Sequence, residues 1–567
     1  MRRVFFVVII AVCAALPAIA APDVTTIVAA RAAVDRGDWK AALDPLAKLA
    51  AASPQNGEWR LSLARARYLT GDIAGAEADY RLAFDLKSED TAILAYGIAK
   101  CDAQLGRRAE AMVWLRRAIA LGYRRLEDAR SDEVFASYRG DPAYRALVGL
   151  VDATKLSRDD GWRGDIRMLA DWVGRKSFHP YRTGTSDRIV SGASQTQAEF
   201  EATAAKLVAD VPKLGDRDIE VALFRLVAGL GDGHTALLGS HTRIEYAMTL
   251  PLAFYVFDDG LYVVSAAPDH KDLIGSKVVA IDGTPVADAL VRIDPLIARD
   301  NAQWVKAMAP HYLRHVPFLK ALGIAKAEDS VDLTVMQDGK PRAVHLAADP
   351  AQPDIWNASP KPAGWAWIGD ASKSEFQQGN DKPFWWKWEP ADGILYVQYN
   401  KVADGPSQTL AAFAQELGGA IAKYPVSKLV IDMRNNNGGD TYLNEAMLGA
   451  IVGSKVNRPG RLYVIIGRRT FSAAMNAVSY FGRFTKAVFV GEPTGGKPNA
   501  PGDETPFTLP YSGIAVNLSD RYWQGSWPDD FSDWRAPDLA VPVTFADFAS
   551  GHDAAMELIR AQPALPD

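Results

Sequence analysis

The sequence predicts a multidomain α+β protein that begins in helical repeats and ends in an α/β layer, and three observations predict it. Gly37, Gly71 and Gly106 recur at intervals of 34 and 35 residues in an alanine-rich stretch. From about residue 246 the helical apolar period gives way to short β-rich runs such as 261–264 and 277–281. From 391 onward such runs alternate with helical stretches, the pattern of a partly parallel sheet covered by helices.

A chain of 567 residues exceeds what one hydrophobic core serves, so several domains are expected. Its 48% hydrophobic and 23% charged fractions are those of a globular protein. The net charge is -5, or -7 once Arg2 and Arg3 are lost with a leader, so no general electrostatic attraction to nucleic acid is expected. That leader is read over 1–20: two arginines, an apolar run over 4–16, and the small-x-small site Ala18-Ile19-Ala20. The run falls short of the roughly 20 apolar residues that span a bilayer, so a cleaved signal peptide and a periplasmic or secreted protein are expected, with no transmembrane segment left. Val12 is bulky for the residue ahead of a lipid-bearing cysteine, which argues against attachment at Cys13. Cys101 is then the only cysteine, which excludes an internal disulfide and a cysteine-rich zinc site. Its alanine-rich helical setting makes it a small core residue.

The repeats are assigned to 22–150. Ala42, Ala76 and Ala111 follow each glycine by five, and Ala83 and Ala118 recur seven further on. This resembles the tetratricopeptide repeat, a helix-turn-helix of about 34 residues whose small side chains allow close helix approach. Stacked helix pairs present a concave surface, so a peptide or protein partner is expected there, beside a purely structural role. Residues 151–245 read as helical, over 200–211 and 218–230 for example. The β region is set at 246–350, and its stretch LIGSKVVAIDGTPV (273–286) resembles the later half of a PDZ domain. Residues 351–390 hold Trp356, Trp365, Trp367, Trp385, Trp386 and Trp388 among Pro, Gly and Lys, and read as an irregular insertion pinned by large rings, or as the wall or lid of a cleft.

The chemistry is sought in the α/β core, 391–567, where three strands each run into an unusual loop. LVIDMRNNNGGD (429–440) ends in paired glycines, whose backbone freedom lets amide N–H groups face a ligand, as an oxyanion hole requires. In RRTFSAAMNAVSYF (468–481) an apolar helix follows Ser472, which is either a plain N-cap or a hydroxyl at the positive end of a helix dipole. VFVGEPTGGKPN (488–499) shapes a rigid loop around Lys497, which is either a solvated lysine or one desolvated enough to accept a proton.

Together and in this order, the three segments resemble the catalytic core of the S41 peptidases, the C-terminal-processing or tail-specific proteases, of ClpP/crotonase-like fold. Ser472 and Lys497 stand 25 residues apart with GEPTGGK at 491–497. GDGHTALL (231–238) resembles the family's D-x-H-T segment, and the stretch 537–559 resembles the tails of longer members. The likeness covers roughly 155–560. It implies Ser472 as nucleophile, Lys497 as general base, and the amide of Ala473 with that of Gly438 or Gly439 as oxyanion hole. Some relatives use a Ser-His arrangement, which leaves His234 as a rival base or helper. Met475 stands where many processing proteases have Glu. The resemblance implies an exported serine endopeptidase that works through an acyl-enzyme on the alkaline side of neutral, with a peptide or protein substrate. It calls for no metal and no cofactor.

Other classes fit less well. Residues 491–497 satisfy G-x-x-x-x-G-K, but Pro498 stands where a phosphate-binding loop needs Ser or Thr. No G-x-S-x-G elbow of the α/β-hydrolase type occurs. A non-catalytic binding protein on an S41 scaffold remains the alternative from a different class.

Overall fold

The structure, a computed structural model, describes residues 24–88, 91–123, 125–150, 152–178, 180–181, 195–240, 248–350, 362–372 and 374–563. The expected leader over 1–20 and Trp356 lie outside the described residues. The chain divides into two compact units, Met1–Val151 and Asp152–Asp567.

The first unit is helical. Helices Val24–Asp35, Trp39–Ala52, Gly57–Thr70, Ile73–Asp85, Thr91–Gln104 and Arg108–Ala120 pack each against the next. Gly37, Gly71 and Gly106 occupy the turns inside successive pairs, with φ of 68°, 93° and 73°, a region that glycine enters without a Cβ penalty. The alanines that recur with them, Ala42, Ala76, Ala83, Ala111 and Ala118, are all fully buried, so the sequence period is the packing period. Asp38 and Asp72 cap the second helix of their pairs by accepting from Ala41 N and Gly75 N. Cys101 is buried in this core.

The second unit is built on a six-stranded sheet. Strands Ile394–Tyr399, Lys428–Asp432, Leu462–Ile466, Val488–Gly491 and Leu539–Ala540 run parallel, in that spatial order. Every residue of the first three is buried, as expected of parallel strands covered on both faces. Helices Leu410–Lys423, Asn444–Val452 and Ala473–Phe484 cover one face and Ala554–Ala561 the other. The edge strand Phe384–Glu389 pairs antiparallel with Ile394–Tyr399. This corrects the irregular insertion expected over 351–390: three of its tryptophans lie on that strand, where aromatic side chains suit a half-buried pleat.

The boundary expected at residue 245 also moves. The helices Arg158–Lys176, Gln197–Asp210 and Asp216–Ala228 are followed by a strand, Ala236–Ser240, which joins the hairpin Asn499–Thr508 and Ile514–Gln524 in a separate antiparallel sheet. The β region over 246–350 is a twisted sheet of five main strands with helices Val286–Ile293, Ala302–Tyr312 and Val316–Ala321, and it also takes in Ala366–Trp367.

A buried ion cluster locks the sheet to its C-terminal cover. Arg434 reaches Asp553 with two bonds, of 3.1 and 3.0 Å, and Asp432 with a third of 3.0 Å. Asp432 is 0% exposed, and burial pushes its carboxyl above the usual range while Arg434 pulls it back. Arg434→Leu strands two carboxylates without a counter-charge, and loss of one partner from such a cluster costs about 3–5 kcal/mol. Urea unfolding of the second unit is expected to show a loss of that size; a change below ~1 kcal/mol contradicts the account.

Candidate active site

Because strands 428–432, 462–466 and 488–491 are adjacent and parallel, their C-terminal ends lie on one edge of the sheet, with Asp432 beside Ile465 and Ile466 beside Gly491. The three loops expected to carry chemistry therefore leave side by side. They line one cavity of about 860 Å³, together with His234, Asp300 and Trp304. Ser472, Lys497, Gly438, Gly439 and His234 are all on its wall.

Ser472 sits at the N-terminus of helix Ala473–Phe484 with φ 54° and ψ -130°, a strained backbone for a residue with a Cβ. Its hydroxyl makes no capping bond, so the plain N-cap role does not apply. The N–H of Ala473 donates to no protein acceptor among the described residues, nor does that of Gly439. The N–H of Gly438 is occupied: it donates to Asn436 Oδ1 at 3.0 Å. Asn436, fully buried, also donates to Tyr399 O at 2.9 Å and accepts at its own carbonyl from Phe471 N at 3.3 Å. It thus ties the glycine loop to the serine loop.

Gly438 must be glycine. Its φ is 113°, and a Cβ there would lie 2.6 Å from Ser472 Cβ. The Lys497 loop docks as closely, since Gly495 N and Gly496 N both donate to Thr470 O at 3.1 Å. Thr470 in turn donates to Met433 O at 3.0 Å, so all three loops are cross-linked by backbone contacts. The Lys497 side chain is 19% exposed, and its amine lies 3.8 Å from Asp533 Oδ1.

His234 lies in the bend before strand Ala236–Ser240. Its ring stacks on Phe471 at 4.5 Å, and Trp304 stacks on Phe471 at 4.0 Å with 15° between planes. The side chain preceding the serine is thus held between two rings. Both His234 ring nitrogens are buried without a hydrogen-bond partner among the described residues. Asp300 joins the histidine turn to the lysine loop: Oδ1 accepts from Gly233 N at 2.8 Å and Oδ2 from Lys497 N at 3.3 Å. Burial holds its carboxyl above the usual range, with His234 countering. Burial does the same to Glu504 on the hairpin. Asp300 carries no motif in the sequence, for it acts by accepting from backbone N–H groups. The N-N-N-G-G run was the only signal for Asn436.

Among solved structures the chain is similar to mature CPAF complexed with lactacystin, at 15% identity, 71% of this chain, 98% of that chain and a TM-score of 0.51. The chain has the fold of the S41 peptidases. A photosystem II D1 C-terminal processing protease aligns over 70% of this chain and 99% of its own at 16% identity, with a TM-score of 0.33. The tricorn protease aligns over 71% of this chain and 36% of its own at 13% identity, with a TM-score of 0.33. No protein-family profile matches the chain, and no curated protein matches it. Within the S41 fold the tight fit at Gly438 gives a measurable consequence. Gly438→Ala is expected to cost about 1–3 kcal/mol in denaturant unfolding. A variant as stable as the parent contradicts the contact with Ser472.

Proposed function

We propose that the chain is a serine peptidase with Ser472 as nucleophile. The observation that carries this reading is the hydroxyl itself: uncapped, on strained backbone, at a helix N-terminus, beside two N–H groups without acceptors among the described residues. A developing oxyanion there is stabilised by aimed donors. Ala473 and Gly439 are the pair that supplies them, since Asn436 already holds the Gly438 N–H.

Lys497 is the general base in this reading. It takes the Ser472 proton as the oxygen attacks a peptide carbonyl, then gives it to the leaving amine; water releases the acyl group. The mechanism needs an uncharged amine at the moment of attack. The docking of Gly495 and Gly496 on Thr470, two residues before the serine, supports Lys497. One observation favours a second reading, with His234 as base: its two ring nitrogens are buried without partners among the described residues, and its ring packs against Phe471.

The first unit serves, in this proposal, as a tetratricopeptide-type surface for a peptide or protein, and the twisted sheet as a PDZ-like module. Among the described residues no helix is long and apolar enough to cross a membrane. Export rests on the leader alone.

Three measurements test the proposal. A fluorophosphonate probe is expected to label the wild type and not Ser472→Ala; an unlabelled wild type at alkaline pH returns the chain to the binding-protein class. Peptide hydrolysis is expected to fall about 10²-fold or more in Lys497→Ala, within the range of general-base contributions. If Lys497→Ala keeps its activity and His234→Ala is dead, His234 takes the base role. N-terminal sequencing of the exported protein is expected to begin at Ala21, and retention of Met1 contradicts cleavage.

A further inference from the structure

Two buried carboxylates flank the His234 turn, Asp300 in the cavity wall and Asp232 behind it. Asp232 and Asp300 are each 8% exposed, and His234 between them is 7% exposed. One donor atom of each lies within 4.8 Å of the other two. Among the described residues neither carboxylate is in an ion pair, and the nearby Lys497 amine turns to Asp533. Each carboxylate oxygen holds one hydrogen-bond donor. Asp232 accepts from His234 N at 2.9 Å and Thr235 Oγ1 at 2.6 Å, and Asp300 from Gly233 N and Lys497 N. These bonds fix the oxygens in place and leave lone pairs on each. His234 offers two ring nitrogens that no group among the described residues engages.

Burying two carboxylates side by side is costly unless a positive charge joins them. A divalent cation supplies that charge at one point. We propose that Asp232, His234 and Asp300 form an inhibitory site for a first-row divalent cation of the zinc class. One imidazole with two carboxylates suits such an ion. A tetrahedral zinc needs donors roughly 3.4 Å apart, at bond lengths of about 2.0–2.2 Å. The donor atoms stand within 4.8 Å of one another, so binding draws the His234 ring and the two carboxylates together. His234 and Asp300 border the cavity, which gives the ion its way in. The bound ion takes a His234 lone pair and sits against the Gly233 and Lys497 backbone that Asp300 holds. It therefore engages both candidate bases, one directly and one through its loop.

The inhibition rests on the peptidase reading, but the binding does not, and the experiment separates them. Titration of zinc into the full chain carrying Ser472→Ala, followed by calorimetry, is expected to show one saturable site. Affinity is expected to fall by at least about 10-fold when His234→Ala or Asp300→Asn is added. Cobalt in place of zinc is expected to give visible absorption that the His234→Ala variant lacks. No saturable binding, or binding unchanged in both variants, overturns the site. In the wild type, zinc is expected to suppress fluorophosphonate labelling and a chelator to restore it. Binding without suppression overturns the inhibitory role and leaves Ser472 untouched.

Discussion

Parallel pairing is the constraint on which the second unit depends. A parallel strand must return to the same end of the sheet before it can pair again, so each crossover delivers its next loop to the same edge. Strands 428–432, 462–466 and 488–491 are neighbours, so the loops that follow them meet without any need for long reach. An Asn-Gly loop, a serine at a helix start and a lysine loop are far apart in the chain. The sheet makes them adjacent. Any antiparallel step among these three strands would send one loop to the opposite edge.

What the sheet brings near, a set of side-chain and backbone hydrogen bonds holds in place. Asn436 fixes the glycine loop to the serine loop, Thr470 fixes the lysine loop to both, and Asp300 fixes the histidine turn to the lysine loop. Phe471, between His234 and Trp304, carries the same connection through aromatic packing. The β region contributes Asp300 and Trp304, so it takes part in the cavity wall as well as forming its own sheet.

Ser472, Lys497, Gly438, Gly439 and His234 were legible because each sits in a short motif whose residue types and spacing carry meaning. The repeat period was legible because Gly37, Gly71 and Gly106 answer to one backbone need. Asp300 was not, since a buried aspartate that accepts from the backbone looks in sequence like any aspartate in a loop; Asp232 stands in the D-x-H-T segment, where His234 alone drew notice. The strand Phe384–Glu389 was missed because Pro, Gly and Lys around it suggested irregular chain. Asp392-Gly393 is a hairpin signal that could have found it, and Gly393 adopts φ 63° in that turn. The strand Ala236–Ser240 escaped because its partner lies in a hairpin nearly three hundred residues away, and no local pattern announces such a pairing.

One further feature ties the core of the sheet to a helix far along the chain. Lys428, at the start of the strand that leads into the glycine loop, is 5% exposed and donates to Ile559 O at 2.8 Å, Arg560 O at 3.2 Å and Gln562 O at 2.6 Å. Its ammonium therefore closes the end of the helix Ala554–Ala561, 131 positions downstream of it at the first of those contacts. Without that helix the lysine at the head of a central strand keeps only water and the charge of Asp392. The strand that feeds the glycine loop is thus moored to the C-terminal helix by one side chain, and removing the helix sets it adrift.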